Sequence, residues 1–182
     1  MKKPLLIVIT GRPASGKTTL AHLLSTQLKL PVVSRDELKE GYIYTASIDH
    51  GELDPSVNWQ IYETFFKTIE LLLTDGISLI AEAAFQHKLW QPKLLHYLSI
   101  ADTRIIICET RPELAKIRFN KRLSDNPERN IFHGDSFLTS AEDKTSTLIE
   151  HYEHVRVDAP TLFVDTNENY TPEVSEIVRF VK

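Results

Sequence analysis

Gly11-Arg12-Pro13-Ala14-Ser15-Gly16-Lys17-Thr18 is the stretch that decides the fold. It matches the phosphate-loop pattern G-x-x-x-x-G-K-[ST]; a short apolar run precedes it, and a helical pattern with leucines on one side follows it. A strand, a glycine loop and a helix, in that order, form the setting in which this motif binds phosphate. The glycines allow a tight turn whose N–H groups point at phosphate oxygens, and the helix N-terminus adds positive charge.

The motif also assigns roles to its residues. We expect Lys17 to reach the β- and γ-phosphates of a nucleotide and the Thr18 hydroxyl to bind Mg²⁺. The other residues expected to contact the nucleotide are Gly11, Arg12, Pro13, Ala14, Ser15, Gly16 and Thr19.

The composition is that of an ordinary globular protein. The 182 residues, with 42% apolar and 25% charged, predict a single domain over 1–182. The net charge of −4 provides no overall attraction to nucleic acid or to an anionic membrane, although a local basic groove would be compatible with it. No apolar stretch reaches membrane-spanning length, and the apolar run near the N-terminus is interpreted as the first strand. A cytoplasmic location is expected.

Short apolar runs alternate with longer helical patterns, which predicts an α/β fold with three layers: a parallel sheet with helices on both faces. The runs that predict the five strands are 5–10, 31–34, 77–81, 103–108 and 161–165. Two segments, 41–54 and 125–137, are polar, contain glycine and lack a sustained period. Each is predicted to be a loop or a mobile flap at the edge of the sheet.

Ligands of open α/β sheets bind beyond the carboxyl ends of the strands, so residues that follow each strand are candidates for chemistry. Asp36 follows the second strand, where a carboxylate could orient an acceptor hydroxyl and take its proton. A helix cap is the alternative interpretation of Asp36. Arg35 and Lys39 are assigned to the substrate, and for Lys39 a solvated surface lysine is the alternative.

Glu82 follows the third strand. A carboxylate there could hold Mg²⁺ directly, act through a water molecule, or contact the substrate, and these alternatives stay open. A carboxylate in an otherwise apolar run is costly without a partner, which favours a functional role.

Three arginines could clamp phosphate oxygens, because guanidinium groups have the fork geometry for it. Arg118 and Arg122 are four residues apart on one face of a predicted helix, and Arg129 follows in the second flap, where it is assigned to the nucleotide. A solvated helical face is the alternative for each one.

The phosphate loop, the Arg35-Asp36 element with Lys39, and the two helical arginines before a flap together resemble the small P-loop kinases. The chain is most similar to predicted ATP-binding kinases related to the kinase domain of polynucleotide 5′-hydroxyl kinase. Zeta toxins and chloramphenicol phosphotransferase are more distant. The resemblance implies the P-loop NTPase fold, the strand order 2-3-1-4-5, and ATP with Mg²⁺ as cofactors.

By the same resemblance, Asp36 corresponds to the general base, Lys39 to a contact with an acceptor phosphate, and Arg122 or Arg118 to the lid arginine. Glu82 stands where Asp is more usual, which leaves the metal arrangement open.

Three functions follow from these observations. The first is an ATP- and Mg²⁺-dependent kinase that transfers the γ-phosphoryl group to a hydroxyl of a small molecule, with no membrane or protein partner implied. The second is a 5′-hydroxyl polynucleotide kinase, which would need only a few phosphate contacts. The third is a nucleotide-dependent switch or ATPase without a phosphorylated product, which would not need Asp36 on the acceptor side. The sequence does not identify the acceptor.

Overall fold

The computed structural model describes residues 2–48, 53–126, 132 and 144–182. Its centre is a five-stranded sheet in the order β2-β3-β1-β4-β5, in which every neighbouring pair is parallel. The strands are β1 (Leu5–Gly11), β2 (Val32–Ser34), β3 (Leu79–Glu82), β4 (Asp102–Glu109) and β5 (Thr161–Asp165). The predicted fold class and strand order are confirmed, and each observed strand lies within two residues of its prediction.

Seven helices lie in the described part of the chain. They are α1 (Lys17–Leu28), α2 (Arg35–Ala46), α3 (Pro55–Thr74), α4 (His87–Ile100), α5 (Pro112–Asp125), α6 (Lys144–Glu150) and α7 (Val174–Val181). None of them is long and apolar enough to cross a membrane.

The predicted loop at 41–54 is wrong over 41–46, because α2 continues through Gly41 to Ala46. Ile43 explains the difference, since its side chain is almost fully buried and attaches this part of the helix to the body of the protein. Residues 49–52 lie outside the described residues, as does most of the second predicted flap. The mobility of both segments stays a prediction.

The core consists of two apolar layers, one on each face of the sheet, because successive side chains of a strand point to opposite faces. Leu6 and Val8 of β1 pack in the layer covered by α3 and α4, while Ile7 and Ile9 pack in the layer covered by α1 and α7. The central strand is therefore buried on both sides, as parallel sheets require.

The register of the strands places candidate functional residues at the carboxyl edge of the sheet. Glu82, the last residue of β3, is paired with Ile9 of β1 on one side and with Ser34, the last residue of β2, on the other. Gly11 ends β1 opposite Cys108 of β4. The phosphate loop, Glu82 and the start of α2 consequently meet at one edge.

Glycine is required at position 11 because strands β1 and β4 approach each other closely there. Its φ is +147°, and a Cβ atom at this position would overlap the carbonyl oxygen of Cys108 and lie 2.8 Å from Oγ of Ser15. No side chain can be accommodated there without moving the backbone of β4 or the loop.

We therefore expect Gly11→Ala to lower the free energy of unfolding by about 1–3 kcal/mol, because the added methyl group meets backbone atoms. Gly41→Ala is the matched control: this glycine is helical and has open space around its Cα, so the same change should stabilise the protein by about 0.5–1 kcal/mol. Urea unfolding of both variants measures the two effects. A Gly11→Ala protein as stable as the parent would contradict the close approach.

Candidate active site

The phosphate loop joins β1 to α1 through a series of unusual backbone conformations. Ala14 and Gly16 have φ values of 60° and 80°, and the Ser15 N–H donates to the Arg12 carbonyl at 3.2 Å. Lys17 is only 6% exposed, and its Nζ donates to the Arg12 carbonyl at 3.0 Å. The lysine ammonium is thus held over the loop, where the motif predicts phosphate binding.

A cavity of about 280 Å³ opens in front of this loop, and we call it the phosphate cavity. It brings together predicted residues from three elements: Lys17 and Thr18 from the loop and α1, Asp36 from α2, and Glu82 from β3. The rest of its lining is Pro13, Ala14, Gly16, Thr19, Arg35, Lys39, Ala84, Phe119, Arg122, Thr145 and Leu148. The candidate site therefore unites segments far apart in the sequence.

Glu82 is the most buried acidic group of this cavity, with 2% of its surface exposed. Its Oε2 accepts a hydrogen bond from Ser34 Oγ at 2.8 Å, and the Thr18 side chain also donates to it. Burial raises the pKa of Glu82, the positive charge of Lys17 opposes that rise, and the negative charge of Asp36 adds to it. The ionised carboxylate is destabilised by burial, and a further positive charge would stabilise it.

Asp36 lies in the first turn of α2 and is half-exposed at the cavity. Its Oδ1 accepts from Nη1 of Arg35 at 3.0 Å, while Nη2 of Arg35 donates to Oδ1 of Asn58 at 3.1 Å. The N-cap of α2 is Ser34, so the alternative interpretation of Asp36 as the cap is wrong. The acceptor-side interpretation of Asp36 stays a prediction.

Lys39 is on the same helix, one turn further along. It is 5% exposed and lines the phosphate cavity, so the alternative of a solvated surface lysine is wrong. A buried ammonium group in a cavity is suited to an anionic ligand.

The two arginines of α5 lie at different places. Arg122 lines the phosphate cavity, with its guanidinium 5.9 Å from the ring centroid of Phe119. Arg118 instead donates through Nη2 to the carbonyls of Thr166 and Asn167 at 2.7 and 2.9 Å. Arg122 is therefore better placed than Arg118 to reach phosphate groups, and Arg129 lies outside the described residues.

Arg118 lines a second cavity of about 350 Å³, which we call the outer cavity. The lining of this cavity also includes Ala14, Gly16, Thr19, Thr166, Glu168, Asn169 and Tyr170. Since Ala14, Gly16 and Thr19 border both cavities, the two cavities meet at the phosphate loop.

The residue that sequence reasoning missed is Tyr152. Its hydroxyl accepts from the Gly11 N–H at 3.2 Å, lies 2.7 Å from Thr10 Oγ1, and donates to the Phe85 carbonyl at 2.8 Å. Burial raises the pKa of Tyr152 to about 12, so the hydroxyl keeps its proton. Tyr152 fixes the start of the phosphate loop to the loop after β3, and only the fold brings it there.

Arg12 extends the same connection, because its Nη1 donates to the Ile149 carbonyl in the last turn of α6 at 2.6 Å. The phosphate loop is thereby attached to the segment that follows 127–143.

The raised pKa of Glu82 predicts a pH dependence of stability. The folded protein binds this proton more tightly than the unfolded chain, whose glutamate titrates near 4.5. This tighter proton binding stabilises the folded protein. Its contribution to the free energy of unfolding is complete below that pH and is lost as the pH rises through the higher pKa of Glu82 in the folded state. Glu82→Gln removes the titrating carboxyl group. The free energy of unfolding of the parent, relative to that of this variant, should therefore fall as the pH rises between the pKa of the unfolded chain and that of the folded protein. Urea unfolding at a series of pH values measures the difference, and a difference that is independent of pH would contradict the burial of the carboxyl group.

Comparison with known proteins identifies a family and several relatives. The model of the AAA_33 family, described as an AAA domain, matches residues 6–138. The adenylate kinase of Chlamydia trachomatis serovar L2 is 23% identical over 201 residues, covering 98% of this chain and 80% of the relative.

Two solved structures resemble the model. The structure of a candidate kinase from Chloroflexus aurantiacus J-10-fl has a TM-score of 0.79 at 26% identity, covering 100% of this chain and 95% of that chain. A chain of the Pnkp1/Rnl/Hen1 RNA repair complex has a TM-score of 0.62 at 21% identity, covering 82% of this chain and 45% of its own length, and shows the shared fold. The predicted resemblance to small P-loop kinases is confirmed. The chain belongs to the AAA_33 family of AAA domains, and it is a P-loop kinase.

Proposed function

We propose that this kinase transfers the γ-phosphoryl group of ATP, with Mg²⁺, to a hydroxyl group of a small molecule. The observation that carries the proposal is that Lys17 of the phosphate loop and Asp36 of α2 line the same phosphate cavity. A phosphoryl group in transfer needs positive charge on the nucleotide side and an orienting group on the acceptor side. Both are supplied by residues that line one cavity.

The nucleotide side is formed by the phosphate loop. Backbone N–H groups of the loop bind phosphate oxygens, and the Lys17 ammonium neutralises charge that moves from the γ-phosphate to the β-phosphate. Arg122 is a further cation in the lining of the cavity. The adenosine part extends into the outer cavity beside Arg118.

The residues present also fit Mg²⁺. Thr18 and Glu82 are hydrogen-bonded to each other and both offer oxygen atoms to a metal ion. The charge of Lys17 offsets only part of the cost of burying the Glu82 carboxylate, so a further positive charge would stabilise it. The chemistry that Mg²⁺ supplies in such a site is neutralisation of charge on the phosphate oxygens. Thr18 and Glu82 would hold it, directly or through water.

Asp36 acts on the acceptor. Its carboxylate orients the hydroxyl group and takes the proton as the oxygen forms its bond to the γ-phosphorus and the bond to the bridging oxygen of ADP breaks. Arg35 holds the Asp36 carboxylate in place through the 3.0 Å contact. Lys39 offers a positive charge to an anionic part of the acceptor.

A small acceptor is favoured over a nucleic acid by the charge of the protein and the size of the cavity. The net charge is −4, and the phosphate cavity of about 280 Å³ is near the lower end of ligand pockets, which hold about 300–1,000 Å³. A pure switch or ATPase would not need a second carboxylate, that of Asp36, in the lining of the phosphate cavity.

Lys17→Ala should lower the rate of phosphoryl transfer by at least about a hundredfold, because a positive charge is removed from the phosphate oxygens. Lys67→Ala is the control, since Lys67 is an exposed lysine of α3 outside the cavity, and its rate should equal that of the parent. Initial rates of ADP formation measure both. A Lys17→Ala protein with normal turnover would remove the loop lysine from the mechanism.

Asp36→Asn keeps the size of the side chain and removes its charge and its capacity to take a proton. We expect the transfer rate to fall by about a hundredfold or more while the affinity for ATP stays within about twofold, because Asp36 acts on the acceptor. Glu37→Gln is the matched control, as it removes a negative charge from the same turn of α2 outside the cavity lining.

The comparison uses transfer rate and nucleotide affinity measured on the same preparations. If Asp36→Asn transferred phosphate as fast as Glu37→Gln, Asp36 would have no part in the reaction and the acceptor side would lie elsewhere.

A further inference from the structure

A third cavity, of about 270 Å³, adjoins the phosphate cavity, and we call it the apolar cavity. The two share the residues Arg35, Asp36, Ala84 and Leu148. The lining of the apolar cavity is completed by Phe85, Gln86, Lys88 and Leu89. A molecule whose hydroxyl group lies at Asp36 would therefore have the rest of its body in this space.

The lining offers little to a polyhydroxylated molecule. Among the described residues of its lining, Gln86 is the single neutral hydrogen-bonding side chain. Lys88 is exposed, and Arg35 already donates through Nη1 to Asp36 and through Nη2 to Asn58, which leaves its Nε as the remaining donor. A sugar hydroxyl that leaves water without a new partner loses free energy, whereas an apolar group gains in proportion to the area that it buries. Phe85, Leu89 and Leu148 are only partly buried and provide that area.

The apolar wall is fixed by the structure behind it. The ring of Phe85 packs against those of Tyr62 and Trp90 at centroid distances of 5.4 and 5.6 Å. The Phe85 carbonyl accepts from the Tyr152 hydroxyl at 2.8 Å, and the Leu89 carbonyl accepts from the Tyr62 hydroxyl at 3.3 Å. A wall held in this way loses little conformational entropy when a ligand binds.

We infer that the acceptor is a small alcohol with an apolar, ring-sized body that occupies the apolar cavity and presents its hydroxyl group to Asp36. At about 270 Å³, the cavity is slightly smaller than ordinary ligand pockets of about 300–1,000 Å³, which suits one ring with a short side chain. The inference rests on the proposed function, since it names the class of acceptor for the same site.

The test measures binding, so that it does not depend on the chemical step. The protein, saturated with Mg²⁺ and a non-hydrolysable ATP analogue, is titrated with 2-phenylethanol as an aromatic alcohol and with sorbitol as a polyol, and binding is followed by ligand-observed NMR. We expect 2-phenylethanol to bind saturably and at least about tenfold more tightly than sorbitol.

Two variants locate the binding. Leu89→Asn places an amide in the apolar wall and should weaken the binding of 2-phenylethanol by at least about fivefold. Leu95→Asn is the matched control on the same helix, because Leu95 is 57% exposed and outside the cavity lining, and its binding should equal that of the parent. Leu148→Asn repeats the test from α6 if Leu89→Asn does not fold, as judged by its urea midpoint.

Any of three outcomes would overturn the inference. The two alcohols could bind equally well, 2-phenylethanol could show no saturable binding, or its affinity could be equal in Leu89→Asn and Leu95→Asn.

These outcomes differ from failure of the proposed function. If the aromatic alcohol binds as expected but no alcohol receives phosphate from ATP, the cavity assignment holds and the kinase reaction proposed here does not. If sorbitol receives phosphate and 2-phenylethanol does not bind, the proposed kinase reaction holds and the assignment of the apolar cavity to the acceptor does not.

Discussion

The parallel pairing of β1 with both β3 and β4 is the constraint on which the site depends. This register ends β1 at Gly11 against the Cys108 carbonyl, and it aligns Ile9, Glu82 and Ser34 across three strands. The phosphate loop can therefore start only at the point where β3 and β2 also end. The 2.8 Å hydrogen bond from Ser34 to Glu82 follows directly from that alignment. A shift of one residue would turn these side chains toward the opposite face of the sheet.

The same alignment concentrates buried charge at the carboxyl edge. Lys17, Lys39 and Glu82 are each at most 6% exposed, and burial of ionised groups costs several kcal/mol per ion unless partners compensate. Such a cluster contributes little to the stability of the fold, which the two apolar layers already provide. We propose that the cluster serves the reaction, because charges that are positioned before the nucleotide binds need not reorganise during phosphoryl transfer.

Much of the fold and of the nucleotide side of the site could be predicted from the sequence. The five strands are visible because a buried parallel strand is a short apolar run, and the phosphate loop is a local motif whose spacing sets its geometry. Asp36, Lys39 and Glu82 could be selected because the carboxyl ends of parallel strands converge, and all three line the phosphate cavity.

The rest depends on contacts that are distant in the chain. Tyr152 reaches Gly11 across 141 residues, and no local pattern distinguishes it from other tyrosines. Arg118 and Arg122 share a face of α5 but enter different cavities, because the carbonyls of Thr166 and Asn167 bind Arg118. The apolar cavity also cannot be predicted from the sequence. Phe85 and Leu89 have the sequence pattern of core residues, and only the folded structure shows that part of their surface is open. Residues 41–46 were mistaken for a loop because Gly41 interrupts the helical pattern that Ile43 anchors.

Product analysis with γ-labelled ATP distinguishes a kinase with an acceptor site from an enzyme that only hydrolyses ATP. The protein is incubated with Mg²⁺, labelled ATP and, one at a time, aromatic alcohols, polyols, nucleosides and a 5′-hydroxyl oligonucleotide. With the right small alcohol, the label should appear as a phosphate monoester, one molecule for each ADP formed and faster than inorganic phosphate is released. Label found only in inorganic phosphate, whichever compound is present, would show that Asp36 faces no acceptor and that the protein is a nucleotide-dependent switch or ATPase. Label on the oligonucleotide alone would show instead that the acceptor is a nucleic-acid end.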